Sequence, residues 1–303
     1  MTDNALSDKH GDAIMAGDVS AGYDETTLAE FDFVPQTTHT TFKNADVGFG
    51  PYIVPRESLL DEIINEAGPS RSVHISGCKG AGKTTVLHQL GLRLKARGEK
   101  RVFFFDSASL MSVDSCLFAI RRLARSKLDA YLLVDETQDN PTAAVFTTLL
   151  KNNTGHNITT IGAGVPKWQS VSGNFKKTIT TDRLFLSEDM LASEGVVNYF
   201  SQGATEAQKS DITTALKHIR SYAGGHIYPL MWLSERLVSM IVREGATAEA
   251  AIMHLSSIDL RQNKEYREMC WRIVPNIDVQ TFRSGLLTRN PDKECLLTLR
   301  KYG

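Results

Sequence analysis

The sequence has few cysteines, almost no net charge and no long apolar run. Its 303 residues include four scattered cysteines without a C-x-x-C pair, which argues against a zinc site or a disulfide framework and favours a reducing intracellular compartment. No stretch of 18 apolar residues exists, and aspartates interrupt the first twelve residues, so we predict neither a membrane span nor a signal peptide. The net charge of −1 gives no global basic field, so nucleic acid is a possible partner that the composition does not indicate.

The charge is unevenly distributed along the chain. Residues 1–40 contain eight acids and one base, a net charge of −7, and they lack periodic apolar residues. We predict a disordered acidic tail there. With 42% apolar residues overall, the rest of the chain can bury a full core, and its length suggests two domains, which we place at 41–203 and 204–303.

The most informative stretch follows a short apolar segment around Ile75. It runs Gly77-Cys78-Lys79-Gly80-Ala81-Gly82-Lys83-Thr84-Thr85 and fits the P-loop spacing Gly-x4-Gly-Lys-Thr. The glycines let successive backbone N–H groups point at an anion, and the helix that follows adds its positive N-terminal end. We therefore predict that these nine residues bind nucleotide phosphates, with Lys83 reaching the β- and γ-phosphates and Thr84 placing its hydroxyl on Mg²⁺.

The pattern around this loop predicts an α/β fold. After the P-loop strand, apolar segments that are typical of buried strands occur at 101–106, 130–136, 157–162 and 183–186, alternating with helical periodicity. Such alternation predicts a P-loop NTPase three-layer sandwich, in which helices cover both faces of a parallel central sheet. From about residue 205 strands vanish, and helices are expected at 205–222, 226–243 and 246–256, as a second, mainly helical domain that ends in a small winged-helix-like or helical bundle.

Two carboxylates follow the third predicted strand. Asp135 and Glu136 come 52 and 53 residues after Lys83, and ligands of parallel sheets bind at the carboxyl ends of strands. We expect Asp135 to hold Mg²⁺, and Glu136 to orient and deprotonate the attacking water, with Lys83 as the other catalytic group. Thr159 and Thr160 on the next strand are either sensors of the γ-phosphate or ordinary β-branched strand residues.

The order of motifs resembles AAA+/STAND-type P-loop ATPases. The resemblance rests on Arg56-Glu57-x-Leu59-Leu60, the P-loop, Leu133-Val134-Asp135-Glu136, Gly162-Ala163-Gly164-Val165-Pro166 and Gly224-Gly225-His226. It implies ATP as the nucleotide, a helical lid over the α/β domain, and a lid histidine, His226, that contacts the β-phosphate. The proline that usually follows this histidine directly is replaced by Ile227, and Pro229 comes two positions later.

A narrower resemblance is to the NTPase module of crinkler-type effector proteins, which are modular eukaryotic proteins. It rests on Gly162–Pro166, Asn174-Phe175, Leu184-Phe185-Leu186 and Gly225-His226-Ile227-Tyr228-Pro229-Leu230. In that family a nuclease-like domain follows the NTPase module. No translocation header is recognisable in residues 1–40, and the sequence stops at Gly303, so we expect either a fragment or an NTPase module used alone.

The function predicted from these motifs is Mg²⁺-dependent ATP hydrolysis that drives a conformational switch, with homo-oligomer formation as a possible consequence. The absence of an N-K-x-D guanine box favours ATP over GTP. Two alternatives stay open. The run Asp135–Asp139 resembles the D-E-x-Q box of nucleic-acid motors, although too few residues follow for a second motor domain. A nucleotide-binding interaction module with little turnover is the other alternative.

Overall fold

The computed structural model describes most of the α/β part and the helices that follow it. The described residues are 56–69, 71–77, 80–105, 128–135, 157–164, 177–223 and 225–258, with Asp32, Val54, Leu123, Gln262 and Lys264. The predicted acidic tail therefore lies outside the described residues except at Asp32. Also outside are Glu136, any winged element near the end of the sequence and, apart from Leu123 and Leu128, the expected helix between the second and third strands.

A parallel five-stranded sheet forms the centre of the first part. The strands are β1 (Val73–Ser76), β2 (Val102–Phe105), β3 (Ala130–Val134), β4 (Ile158–Gly164) and β5 (Lys177–Ile179). Their spatial order is β2-β3-β4-β1-β5, and every pairing is parallel. All seven residues of β4 are buried, as expected for the central strand of a sheet that is covered by other elements. The parallel sheet of the predicted fold class is confirmed.

Two helices pack on this sheet and on each other. Helix α1 (Glu57–Glu66) buries Leu59, Leu60 and Ile63, and helix α2 (Lys83–Ala96) buries an apolar face that runs from Val86 to Leu94. Both helices share one core with the central strands. Ion pairs join them at the surface, where Arg93 contacts Glu57 and Asp61, and Arg97 contacts Asp61 at 2.9 Å.

The prediction of a strand at 183–186 is wrong. The fifth strand is Lys177–Ile179, and Thr181–Leu184 forms a 3₁₀ turn instead. A four-residue apolar run does not by itself distinguish a strand from a buried turn. Here the apolar side chains serve packing: Leu184 and Leu186 are fully buried, in the sheet core and the helical core respectively.

The second part is helical, as predicted. After α3 (Glu188–Leu191) and α4 (Glu194–Phe200) come α5 (Glu206–Ala223), α6 (Ile227–Glu244) and α7 (Ala248–Ser257). These helices enclose a second core, to which α5 contributes Ile212 and Leu216, and α6 contributes Leu230 and Leu237. Val54, which precedes α1, also packs in this core. Within the described part of the chain, no helix is long and apolar enough to cross a membrane.

Candidate nucleotide-binding site

The P-loop joins the carboxyl end of β1 to the start of α2. The Gly77 N–H donates to the Gly164 carbonyl at 3.0 Å, which extends the β1–β4 pairing by one residue into the loop. Gly80 and Gly82 have φ values of +77° and +84°, in the left-handed region that favours glycine. Cys78 and Lys79 lie outside the described residues.

The first turn of α2, where the loop ends, carries two candidate site residues, Lys83 and Thr84. Lys83 is the first residue of the helix and is buried, whereas Thr84 is exposed. The Thr84 Oγ1 donates a hydrogen bond of 2.5 Å to Oδ2 of Asp135, directly after β3. Asp135 is buried, and its backbone N–H donates to the Phe105 carbonyl at 2.8 Å.

The sheet register explains why Thr84 and Asp135 meet. Ser76 at the end of β1 pairs with Gly164, and Val134 at the end of β3 pairs with Gly162, so both strands end at the same edge of the sheet, on either side of β4. A hydroxyl and a carboxylate therefore lie together at the mouth of the P-loop. Oxygen donors of this kind fit Mg²⁺, which prefers hard ligands and keeps several waters.

Thr159 and Thr160 lie away from the sheet edge that carries the P-loop. Both are buried near the start of β4, where they pair with Tyr131 and Leu132. Gly164, at the edge that carries the P-loop, comes four positions after Thr160, about 13 Å along the strand. This placement favours the interpretation that they are strand-packing residues.

The helical part touches the P-loop at Gly82. A Cβ atom added to Gly82 would lie 2.3 Å from Cδ1 of Ile227, the first residue of α6. Ile227 is buried in the helical core, so the start of α6 packs directly on the loop. Further contacts fix this approach: the Leu186 N–H donates to the Gly225 carbonyl at 2.9 Å, and Nε of Arg220 donates to the Leu186 carbonyl at 3.0 Å.

His226 lies immediately before α6, and its carbonyl accepts the first helical hydrogen bond, from the Leu230 N–H. The imidazole is buried and packs 6.0 Å from the ring of Phe185. Burial, and then the positive charge of Lys83, lower the pKa of His226 to about 4, so it is neutral at pH 7. Pro229 is buried in the first turn of α6, where a helix tolerates the missing N–H.

His74 in β1 is a second buried histidine under the influence of Lys83. Its exposed fraction is 1%, and burial followed by the charge of Lys83 lowers its pKa to about 4. Lys83 therefore acts on two imidazoles that carry no charge at neutral pH. Nothing in the sequence pattern selects His74, because a histidine in an apolar strand is ordinarily a packing residue.

Arg56 is a deeply buried cation next to the loop. Only 2% of its surface is exposed, and burial lowers its pKa to about 10. Its Nη2 lies 3.4 Å from the position that a Cβ of Gly82 would take. Among the residues that the structure describes, Nη1 has no hydrogen-bond partner. A buried guanidinium requires a counterpart, so Arg56 fits a site whose ligand is an anion.

Comparison with known proteins finds a family model and a relative that each resemble part of this chain. Residues 52–139 match the family model of the methylmalonyl Co-A mutase-associated GTPase MeaB. A Streptomyces virginiae protein described as "Uncharacterized protein in mutB 3'region" is 35% identical over 74 residues, which are 24% of this chain and 80% of that protein. This chain belongs to the same family as the streptomycete protein. Residues 52–139, which contain the P-loop, are thus related to P-loop nucleoside triphosphatases.

Solved structures also resemble this chain, at a lower sequence identity than the streptomycete protein has. The Thermotoga maritima RuvB Holliday junction branch migration motor has a TM-score of 0.43 and 14% identity, over 77% of this chain and 75% of RuvB. The FIGL-1 AAA domain in complex with ADP has a TM-score of 0.45 and 15% identity, over 88% of this chain and 96% of that domain.

Proposed function

We propose that the protein is a Mg²⁺-dependent ATPase whose helical lid responds to the bound nucleotide. The observation that carries this proposal is the 2.5 Å contact between Thr84 at the end of the P-loop and Asp135 at the end of β3. P-loop nucleotide sites need a hydroxyl and a carboxylate close together, because these oxygens would hold the Mg²⁺ that neutralises phosphate charge.

Each described group has a role in this proposal. The backbone N–H groups from Gly80 to Thr84 would bind the phosphates, and Lys83 would neutralise their charge. Thr84 and Asp135 would hold Mg²⁺, directly or through water. When bound, the ion neutralises charge that develops on the transferred phosphoryl group. Glu136, the residue after Asp135 in the sequence, is proposed as the base that orients and deprotonates water.

The lid would sense the nucleotide through three groups. His226 and the N-terminus of α6 approach from the lid, and Arg56 approaches from the start of α1. A helix N-terminus favours an anion, and a guanidinium binds phosphate through two parallel hydrogen bonds. Binding would therefore hold the lid against the P-loop, and loss of the terminal phosphate would weaken this contact. Pro229 would rigidify the first turn of α6. Assembly into a homo-oligomer would be a further consequence of lid closure.

Two substitutions test the proposal. Lys83→Ala should abolish ATP binding, whereas Glu136→Gln should leave binding intact and stop turnover. Lys209→Ala is a matched control, because Lys209 pairs with Glu206 at an exposed position on α5. Unchanged hydrolysis in Glu136→Gln would refute the role of Glu136. Binding without any turnover in the unaltered protein would favour the interaction module, and stimulation by DNA would favour a nucleic-acid motor.

GTP hydrolysis is the second candidate function, and the match of residues 52–139 to the MeaB model favours it. The sequence has no N-K-x-D guanine box, which favours ATP. To decide between ATP and GTP, each unlabelled nucleotide is tested for its ability to displace one labelled nucleotide from the protein. Lys83→Ala is the control for binding outside the P-loop. The narrower resemblance to the crinkler-type NTPase module stays a prediction.

A further inference from the structure

Strand β2 is the last strand on one side of the described sheet, and half of its backbone groups face outwards. The Tyr131 N–H donates to the Arg101 carbonyl at 2.9 Å, and the Asp135 N–H donates to the Phe105 carbonyl at 2.8 Å. Odd-numbered residues of this segment therefore direct their backbone groups at β3. Because the direction alternates along a strand, Val102 and Phe104 direct theirs towards the outer edge. A sheet edge of this kind is a template for another extended chain.

Asp32, from the acidic N-terminal segment, lies at this edge. It forms an antiparallel β-bridge with Phe103, at the middle of β2. Its Oδ1 accepts a hydrogen bond of 2.9 Å from Nζ of Lys95, in the last turn of α2. The same ammonium group donates to the Lys100 carbonyl at 3.2 Å, which fixes its position beside the strand. A backbone bridge and an ion pair thus meet at one residue, 63 positions before Lys95 in the sequence.

The two segments that meet there have opposite charge. Residues 93–101 contain five bases and one acid, whereas residues 1–40 contain eight acids and one base. Arg93 and Arg97 of the basic segment are engaged by acids of α1, so Lys95 is the base of this group that the structure pairs with the N-terminal segment. Opposite charge favours the approach of the acidic segment over that of a basic or neutral one.

We propose that the outer edge of β2 is a docking surface for an extended acidic peptide, and that the segment of this chain centred on Asp32 is its occupant. Main-chain pairing with the edge supplies affinity, and the contact between Asp32 and Lys95 selects an acidic residue opposite Phe103. The occupant also protects an apolar strand edge from pairing with other chains. This inference does not depend on which nucleotide the P-loop binds.

Amide hydrogen exchange of the full-length protein, resolved by NMR, tests the proposal. The bridge opposite Phe103 uses the outward N–H of Phe104 and the outward carbonyl of Val102. Asp32→Lys and Lys95→Glu should therefore each lower protection of the Phe104 amide by about two- to fivefold, the range for an exposed ion pair. The double variant, which restores opposite charges, should recover the protection. Phe103 and Phe105 are internal controls, because their amides face β3 and should not change. Unchanged protection in the single variants, or no recovery in the double variant, would overturn the proposal.

A peptide added in trans tests the docking surface itself. A synthetic peptide of residues 24–38, added to the full-length Asp32→Lys protein, should restore protection of the Phe104 amide. The same peptide with lysine in place of Asp32 should not. Equal restoration by both peptides, or by neither, would contradict recognition through Lys95. If the protection in the unaltered protein rises with protein concentration, a second copy supplies the segment and the intramolecular assignment is wrong.

Discussion

Substitution of Gly82 by alanine measures how closely the lid contacts the P-loop. Gly82 has φ +84°, and an alanine in this left-handed conformation costs about 1–2 kcal/mol. The added Cβ would also lie 2.3 Å from Cδ1 of Ile227 and 3.4 Å from Nη2 of Arg56. Forcing extra volume into a packed contact costs a further amount of about 1–3 kcal/mol. We therefore expect Gly82→Ala to lower the free energy of unfolding by about 2–5 kcal/mol.

Gly98 provides the matched control for the backbone contribution. It has φ +87°, and a Cβ added there would meet no atom within 4 Å. Gly98→Ala should therefore cost only about 1–2 kcal/mol. The difference between the two variants, measured by urea unfolding followed by far-UV circular dichroism without nucleotide, isolates the contact with the lid.

The same comparison in a protein that carries Ile227→Ala identifies the atom that causes the extra destabilisation. Ile227→Ala removes Cδ1, at a cost of about 2–5 kcal/mol for a buried isoleucine. In that background Gly82→Ala should cost no more than Gly98→Ala does. If Gly82→Ala is no more destabilising than Gly98→Ala in the unaltered protein, the lid does not pack on the loop. If its extra cost persists without Ile227, the strain lies within the loop and the reasoning is refuted.

Three further predictions concern charged groups at the site. Asp135→Asn should raise the Mg²⁺ concentration needed for half-maximal turnover by about tenfold or more, and an unchanged Mg²⁺ dependence would remove Asp135 from the metal site. Arg56→Met keeps most of the length of the side chain and removes its charge. It should weaken nucleotide binding by about tenfold in titration calorimetry without destabilising the unliganded protein. If the variant binds nucleotide as tightly as the unaltered protein, Arg56 does not reach the nucleotide. Since the pKa values of His74 and His226 are about 4 in the folded protein and 6.5 in the unfolded chain, the unfolded chain binds more protons between these values. The free energy of unfolding should then be flat above pH 6.5 and fall as the pH decreases, by about 2 kcal/mol per histidine at pH 5. His226→Gln and His74→Gln should each remove one such contribution, and an unchanged acid slope in both would contradict the assigned cause.

The glycine-rich turn between β1 and α2 and the helices of the second part could be predicted from the sequence, since both depend on local patterns. The spacing of Gly77, Gly82 and Lys83 is set by the backbone path around an anion. Apolar periodicity places the ends of the lid helices within about two residues of their observed bounds. The fifth strand could not be predicted in this way, because Lys177–Ile179 is three residues long and has no apolar alternation to detect.

The contacts between distant segments could be predicted only in part. The sequence could place Thr84 and Asp135 on one Mg²⁺ because each follows a predicted strand, and the structure brings the two side chains together. The position of β4 between β1 and β3 could not be predicted, because nothing in the composition of the strands states their order. Arg56 is part of a sequence motif, but its burial depends on the packing of α1 beside Gly82. Ile227 stands where the resemblance expects proline, and only the fold shows that its side chain contacts the loop.

The charges around Gly82 explain why the lid and the nucleotide should be coupled under the proposed function. Lys83 and Arg56 are buried cations near the loop, and α2 and α6 both begin beside it, so their N-termini add partial positive charge. Further positive charge would be unfavourable there, which adds to the effect of burial in keeping His226 neutral. A bound triphosphate has the opposite effect on the pKa of His226, because its negative charge favours the protonated imidazole. Nucleotide binding should then take up a proton at His226, and the affinity should rise as the pH falls from about 7 towards 5. An affinity that is independent of pH in this range would mean that the phosphates do not reach the start of α6.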